Sequence, residues 1–221
     1  MPAPPESEAE LFERARGLAG RSLGEVSAEL GIACPDTLKR AKGFVGMLLE
    51  RALGATAGSK DVPDFPDLGV ELKSLPVDRE GKPRESTFVC TMPLSDVAEM
   101  QWLGSRVQRK LARVLFVPVE ATPEVAIAAR RIGGPILWTA SAEEEAALRR
   151  DWDELAGLVG AGHVESVTAH LGEYLQVRPK AAHSRVRTLA PGGDDGLVSV
   201  NPKGFYLRTK FTAAIVARAL R

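Results

Sequence analysis

A chain of 221 residues, 44% hydrophobic and 26% charged, has the make-up of a globular protein with a sizeable core, built as one large domain or two lobes. Its 29 basic and 29 acidic residues cancel, which excludes a protein that coats nucleic acid indiscriminately; any DNA contact must come from local basic clusters. Two scattered cysteines, Cys34 and Cys90, exclude a disulfide framework and fit a reducing cytoplasm, while an acidic, proline-rich start and the lack of a long apolar run leave no expected signal peptide or membrane span.

In chain order, residues 1–6 read as a flexible tail. Ser7 with Glu10 reads as a capping-box start for a helix through Leu11, Phe12, Ala15, Leu18 and Ala19, ended by Gly20. A short helix follows from about Gly24 to Leu30. Pro35 or Asp36 opens a third, which turns Phe44, Val45, Leu48 and Leu49 inward and leaves Glu50 off that apolar face. Val70 to Val77 reads as a strand, and the turn Asp78–Pro83 with a strand Thr87–Met92 completes an expected hairpin. A basic helix bearing Arg106, Arg109, Lys110 and Arg113 leads into the apolar strand Val114–Val119, and Pro135–Trp138 reads as a short buried strand. Ser141 caps a long helix to about Val159, whose acids Glu143, Glu144, Glu145, Asp151, Asp153 and Glu154 are expected to form a solvated face. Tyr174–Arg178 alternates as a strand ending at Pro179. Residues Lys180–Asn201, with the run Gly192–Gly196, read as a long loop of the kind that tends to carry function. A strand through Phe205, Tyr206 and Leu207 and a helix Thr209–Leu220, with Phe211, Ile215 and Ala219 on one stripe, complete the pattern.

The chemistry concentrates in Asp64–Lys73. Residues two apart on a strand share a face, so Glu71 and Lys73 project together and Leu72 turns into the core. Asp64 lies seven residues before Glu71, across a bend made by Pro66 and Gly69, and can fold back beside it. Two carboxylates and an ammonium so gathered can hold a hard divalent cation and polarise a water. An acid two residues before a lysine also occurs as Glu80–Lys82, inside the solvated turn, and an ordinary surface ion pair is the plainer reading of such spacing. His163, His170 and His183 show no metal-binding spacing, and there is no P-loop, dinucleotide fingerprint, nucleophile elbow or internal repeat. Taken singly, Lys110, Arg178 and Lys180 read as solvated charges, and Phe88 and Tyr206 as core.

Longer blocks change the weighting. Lys42–Glu50, Leu53–Lys60, Asp64–Phe65 with Leu68–Lys73, Thr87–Cys90, Arg109–Leu111, Gly172–Ala182 and Gly204–Leu207 resemble, in order and over nearly the whole chain, the MutH family of methyl-directed mismatch-repair endonucleases, part of the restriction-endonuclease-like PD-(D/E)xK group. The resemblance implies an α/β fold, a mixed sheet flanked by helices, with two lobes forming a DNA-binding cleft: roughly 7–104 plus 209–220, and 105–208. It implies nicking of the unmethylated strand 5′ to G at hemimethylated GATC sites in double-stranded DNA, activated by MutL and, through it, MutS. One or two Mg²⁺ ions would be held by Asp64, Glu71 and the Leu72 carbonyl, with Glu50, Lys73 and Lys110 completing the catalytic set. DNA contacts would come from Lys42, Phe88, Arg178, Pro179, Lys180 and Tyr206, the last sensing the adenine methyl group, with Arg185 and Arg187 extending the basic tip. A cytoplasmic monomer is expected. Two other readings stand beside this one. A GATC-specific type II restriction endonuclease would cut both strands; a non-catalytic DNA-binding module would keep Arg178 and Lys180 without needing Glu50, Asp64, Glu71 and Lys73 together.

Overall fold

The structure is a computed structural model that describes residues 2–38, 41–181, 183, 185–192 and 196–220. Its elements are, in chain order, helices α1 (Glu8–Leu18), α2 (Leu23–Glu29) and α3 (Phe44–Leu53), strands β1 (Glu71–Val77) and β2 (Thr87–Thr91), helix α4 (Arg106–Leu111), strands β3 (Val114–Glu120) and β4 (Ile136–Trp138), helix α5 (Ala142–Gly160), strands β5 (Leu175–Pro179), β6 (Thr188–Pro191), β7 (Leu197–Val200) and β8 (Lys203–Leu207), and helix α6 (Thr209–Ala219). This is a mixed α/β protein with small sheets flanked by helices. Its contacts divide it into a first unit of residues 1–85, 112–139 and 213–221 and a second of 86–111 and 140–212.

In the first unit β3 is buried along nearly its whole length, because it lies in the middle of the sheet, parallel to β1 and antiparallel to β4. A strand covered on both faces needs a continuous apolar run, and Val114–Val119 supplies it. Leu11, Leu48, Leu49, Phe65, Val70, Leu72, Leu115 and Val117 share one core cluster, which seats α1 and α3 against β1 and β3. The second unit holds the antiparallel sheet β2–β8–β5, with α5 packed on β5 and Trp102 edge-on to Trp152 at 6.3 Å. Among the described residues, no helix is long and apolar enough to cross a membrane.

Several expectations are corrected. β1 and β2 are not a hairpin: β1 pairs with β3 and β2 pairs with β8. The ladder after the Asp78–Pro83 turn stops at a single bridge, Val77 to Pro83, where proline has no N–H to extend it. Helix α3 opens at Phe44, not near Pro35, because Gly43 stands before it with a left-handed φ of 87°. Within the expected loop Lys180–Asn201, β6 and β7 pair as an antiparallel hairpin; Gly193, Asp194 and Asp195 of its glycine run lie outside the described residues. The acids of α5 are not all solvated. Glu144 is buried as the reciprocal partner of the Ser141 cap, and Asp151 is buried within the second unit. On α6, Thr212 and Val216 accompany Phe211 and Ile215 in the interior, while Ala219 is exposed.

Candidate active site and DNA-reading surface

β1 is an edge strand, so one row of its backbone groups faces away from β3. The Glu71 N–H donates to the Arg113 carbonyl at 2.9 Å, on the β3 side. The next amide must therefore face the open edge, and there the Leu72 N–H donates to Asp64 Oδ2 at 2.8 Å. Asp64 reaches that place because Phe65 and Val70 bridge each other, closing a tight loop over Pro66–Leu68, with Gly69 at φ 65° completing the bend. The Asp64 carbonyl in turn accepts from the amides of Thr56 and Ala57, which ties the residue to the segment after α3. In a strand the N–H and C=O of one residue face the same edge, so the Leu72 carbonyl faces the Asp64 side.

Glu71 and Lys73 share a face, as their spacing requires, and Lys73 Nζ donates to Glu71 Oε1 at 2.6 Å. The pair is sheltered: the Glu71 side chain is 3% exposed and that of Lys73 14%. Glu50 is half-buried near the end of α3, the helix packed against β1, and Lys42 is exposed just ahead of the Gly43 cap. Among the described residues, no three His, Cys, Asp or Glu side chains gather in a way that could hold a metal. The donor set to weigh is thus two carboxylates and a carbonyl, all hard oxygens, around the residue 72 peptide. Mg²⁺ is commonly bound through one or two carboxylates, with waters and substrate phosphates completing its shell, so these residues fit it.

The second unit assembles a different group. In the sheet β2–β8–β5, Phe88 and Gln176 are the register partners of Tyr206, and Gly204 is the partner of Arg178. The Phe88 and Tyr206 rings meet edge-on at 5.3 Å. Arg178 Cζ lies 5.9 Å from the Tyr206 ring centre, and Lys180 Nζ 4.1 Å from that of Phe88, both within cation–π range. Arg178, Pro179 and Lys180 are exposed. Burial raises the Tyr206 phenol above its ordinary value, and the Arg178 charge opposes that shift. Lys110 is half-buried on α4, the helix that packs against β2, and Arg185, Arg187, His163, His170 and His183 are exposed.

Two residues of this surface escape a reading of the sequence. Ser86 Oγ accepts from Arg178 Nη1 at 2.7 Å and orients the guanidinium, and no local pattern links positions 86 and 178. Gly204 lies under the aromatic pair: a Cβ there would come within 2.9 Å of Phe88 Cε2 and 3.1 Å of the Cys90 carbonyl. A glycine inside a strand signals such a close approach, and that signal was present in Lys203–Leu207.

Comparison with known proteins identifies the family. A family model described as DNA mismatch repair enzyme MutH matches residues 53–151. The DNA mismatch repair protein MutH of Serratia proteamaculans (strain 568) is 54% identical over 218 residues, covering 99% of this chain and 96% of that protein. Its counterpart in Photorhabdus laumondii is 52% identical over 217 residues, and that in Yersinia enterocolitica 51% identical, each covering 98% of this chain and 95% of the relative. The chain belongs to the MutH family of DNA mismatch repair proteins.

Proposed function

We propose that this protein is the strand-nicking endonuclease of methyl-directed mismatch repair, cutting the unmethylated strand 5′ to G at hemimethylated GATC sites. The observation that carries the reading is the Asp64–Lys73 arrangement, in which a folded-back carboxylate, a sheltered carboxylate–ammonium pair and a backbone carbonyl surround one peptide. Asp64, Glu71 and the Leu72 carbonyl are the ligands we assign to one or two Mg²⁺ ions. Bound there, Mg²⁺ supplies the Lewis acid that lowers the pKa of the attacking water and relieves charge on the phosphate. Lys73, oriented by Glu71, keeps a positive charge beside that water and the phosphate oxygens. Glu50 adds a third carboxylate and Lys110 a cation for the scissile phosphate, both on the family's pattern.

Arg178 and Lys180 supply base-edge and phosphate contacts, Pro179 stiffens the turn between them, and Lys42 and Phe88 add further contacts. Tyr206 senses the adenine amine. The protein acts as a cytoplasmic monomer, weakly by itself, and is activated by MutL, with MutS acting through it. The test is a plasmid assay on unmethylated, hemimethylated and fully methylated GATC DNA, with and without Mg²⁺. Slow, Mg²⁺-dependent single-strand nicking that full methylation suppresses is expected. Vigorous double-strand cutting without a partner would overturn the nickase assignment, and DNA binding without any cleavage would overturn the enzyme.

A further inference from the structure

The stretch from Val167 to Tyr174, which feeds β5, contains no helix or strand, yet charged side chains hold it at almost every step. Lys203, at the start of β8, donates from Nζ to the Val167 carbonyl at 3.3 Å. Arg208, just past β8, donates from Nη2 to the carbonyls of Ala169 and Leu171, both at 2.8 Å. The amides at the far end are taken by Asp151 of α5, which is 5% exposed. Its Oδ1 accepts from the Glu173 N–H at 2.7 Å, and its Oδ2 from those of Tyr174 at 2.6 Å and Leu175 at 2.8 Å. Gly172 makes the turn possible. At φ 80°, a Cβ there would stand 1.9 Å from the Leu175 carbonyl oxygen and 3.3 Å from Asp151 Cγ.

Three charge-assisted bonds to consecutive amides fix a chain along its own direction as well as against its neighbour. The last of those amides belongs to the first residue of β5. Three residues on, Arg178 leaves the strand opposite Gly204. A slip of one residue would send every β5 side chain to the other face. We infer that Asp151 is a positioning residue for base reading: its carboxylate sets the register at which β5 delivers Arg178 and Lys180 to DNA. The inference rests on the proposed reading role of Arg178.

The test compares nicking rates of the full chain on GATC duplexes and on one-base variants, in Mg²⁺, for Asp151→Asn, Arg178→Ala and the double variant. Asn preserves shape but sets an NH₂ group against amide donors. Asp151→Asn is expected to lower the GATC preference about tenfold, within the range of one bidentate base contact. It should add little to Arg178→Ala, because both act through the same contact. A carboxylate that merely supports the fold would lower the rates on all sequences together and leave the preference unchanged, which overturns the inference. An Arg178→Ala variant with unaltered preference overturns the reading role itself, and with it any need to position that residue. Gly172→Ala disturbs the same turn from its other side and is expected to relax the preference likewise. If neither variant folds, as judged by circular dichroism, Asp151 serves the fold as a whole and the inference falls.

Discussion

The Asp64–Lys73 segment shelters its charges, whereas the sheet β2–β8–β5 displays them. Glu71 and Lys73 neutralise each other in a sheltered place, and the Asp64 carboxylate accepts from the Leu72 amide, one strand position before Lys73. Arg178 and Lys180 instead lie exposed, resting on the rings of Tyr206 and Phe88. Removing one member of a sheltered pair leaves the other desolvated without its charged partner. Exposed cations carry little such penalty and stay available to a partner. On the proposed roles, the cleavage group is set before DNA arrives, whereas the reading group is aimed and left open.

The most direct way to break this comparison is to remove one charge of the sheltered pair. Glu71→Ala and Lys73→Ala are each expected to lower nicking by about 10²–10⁴-fold, the range for loss of a group that handles the reacting water. Because Glu71 is buried, each single variant should also lose stability in urea unfolding, as the remaining group loses its charged partner. The double variant should recover part of that loss. Equal destabilisation by single and double variants would show that the pair is not coupled.

Arg178→Ala tests the other half. The loss of a bidentate base contact should lower GATC preference roughly ten- to hundredfold, as a contribution of about 1–3 kcal/mol implies, with unfolding unchanged because the side chain is exposed. A large fall in stability would mean that its bond to Ser86 is structural. Gly204→Ala should act more gently through the same surface. The added methyl must displace the Phe88 ring, for about 1–3 kcal/mol of overpacking, and weaken DNA binding severalfold in a salt titration. An unaltered variant would show that the seat of the ring has no part in binding.

The two regions also differ in how much of them the sequence discloses. Glu71 and Lys73 are two apart and Asp64 is within one turn of both, so strand periodicity and one bend are enough to predict the pairing. The reading group is drawn from positions 86, 88, 178, 180, 204 and 206, and only strand pairing unites them. Reading β1 and β2 as a hairpin put Phe88 beside the wrong strand, since local turn chemistry cannot reveal that β3 takes β1 and β8 takes β2. The role of Asp151 stayed hidden for a related reason. On the helix it is one acid among six, and what separates it is a stretch of amides more than twenty residues away.

Tyr206 offers the smallest effect and the sharpest division between ring and hydroxyl. The ring meets Phe88 edge-on and carries Arg178 above it, so Tyr206→Ser should disturb both base preference and methyl sensing. Tyr206→Phe keeps the ring and removes only the hydroxyl, so GATC preference should survive. If the hydroxyl meets the adenine amine, its loss removes one neutral hydrogen bond, about 0.5–1.5 kcal/mol, and the rate ratio between unmethylated and fully methylated sites should narrow roughly two- to tenfold. The titration of the phenol gives an independent check. A phenol is protonated below its pKa, and burial holds this one above its ordinary value of about 10. The hydroxyl therefore keeps its proton from pH 7 to 9, and the methylation ratio of the unaltered protein should be flat across that window. A ratio that fell there, or that Tyr206→Phe left untouched, would move methyl sensing from the hydroxyl to the face of the ring.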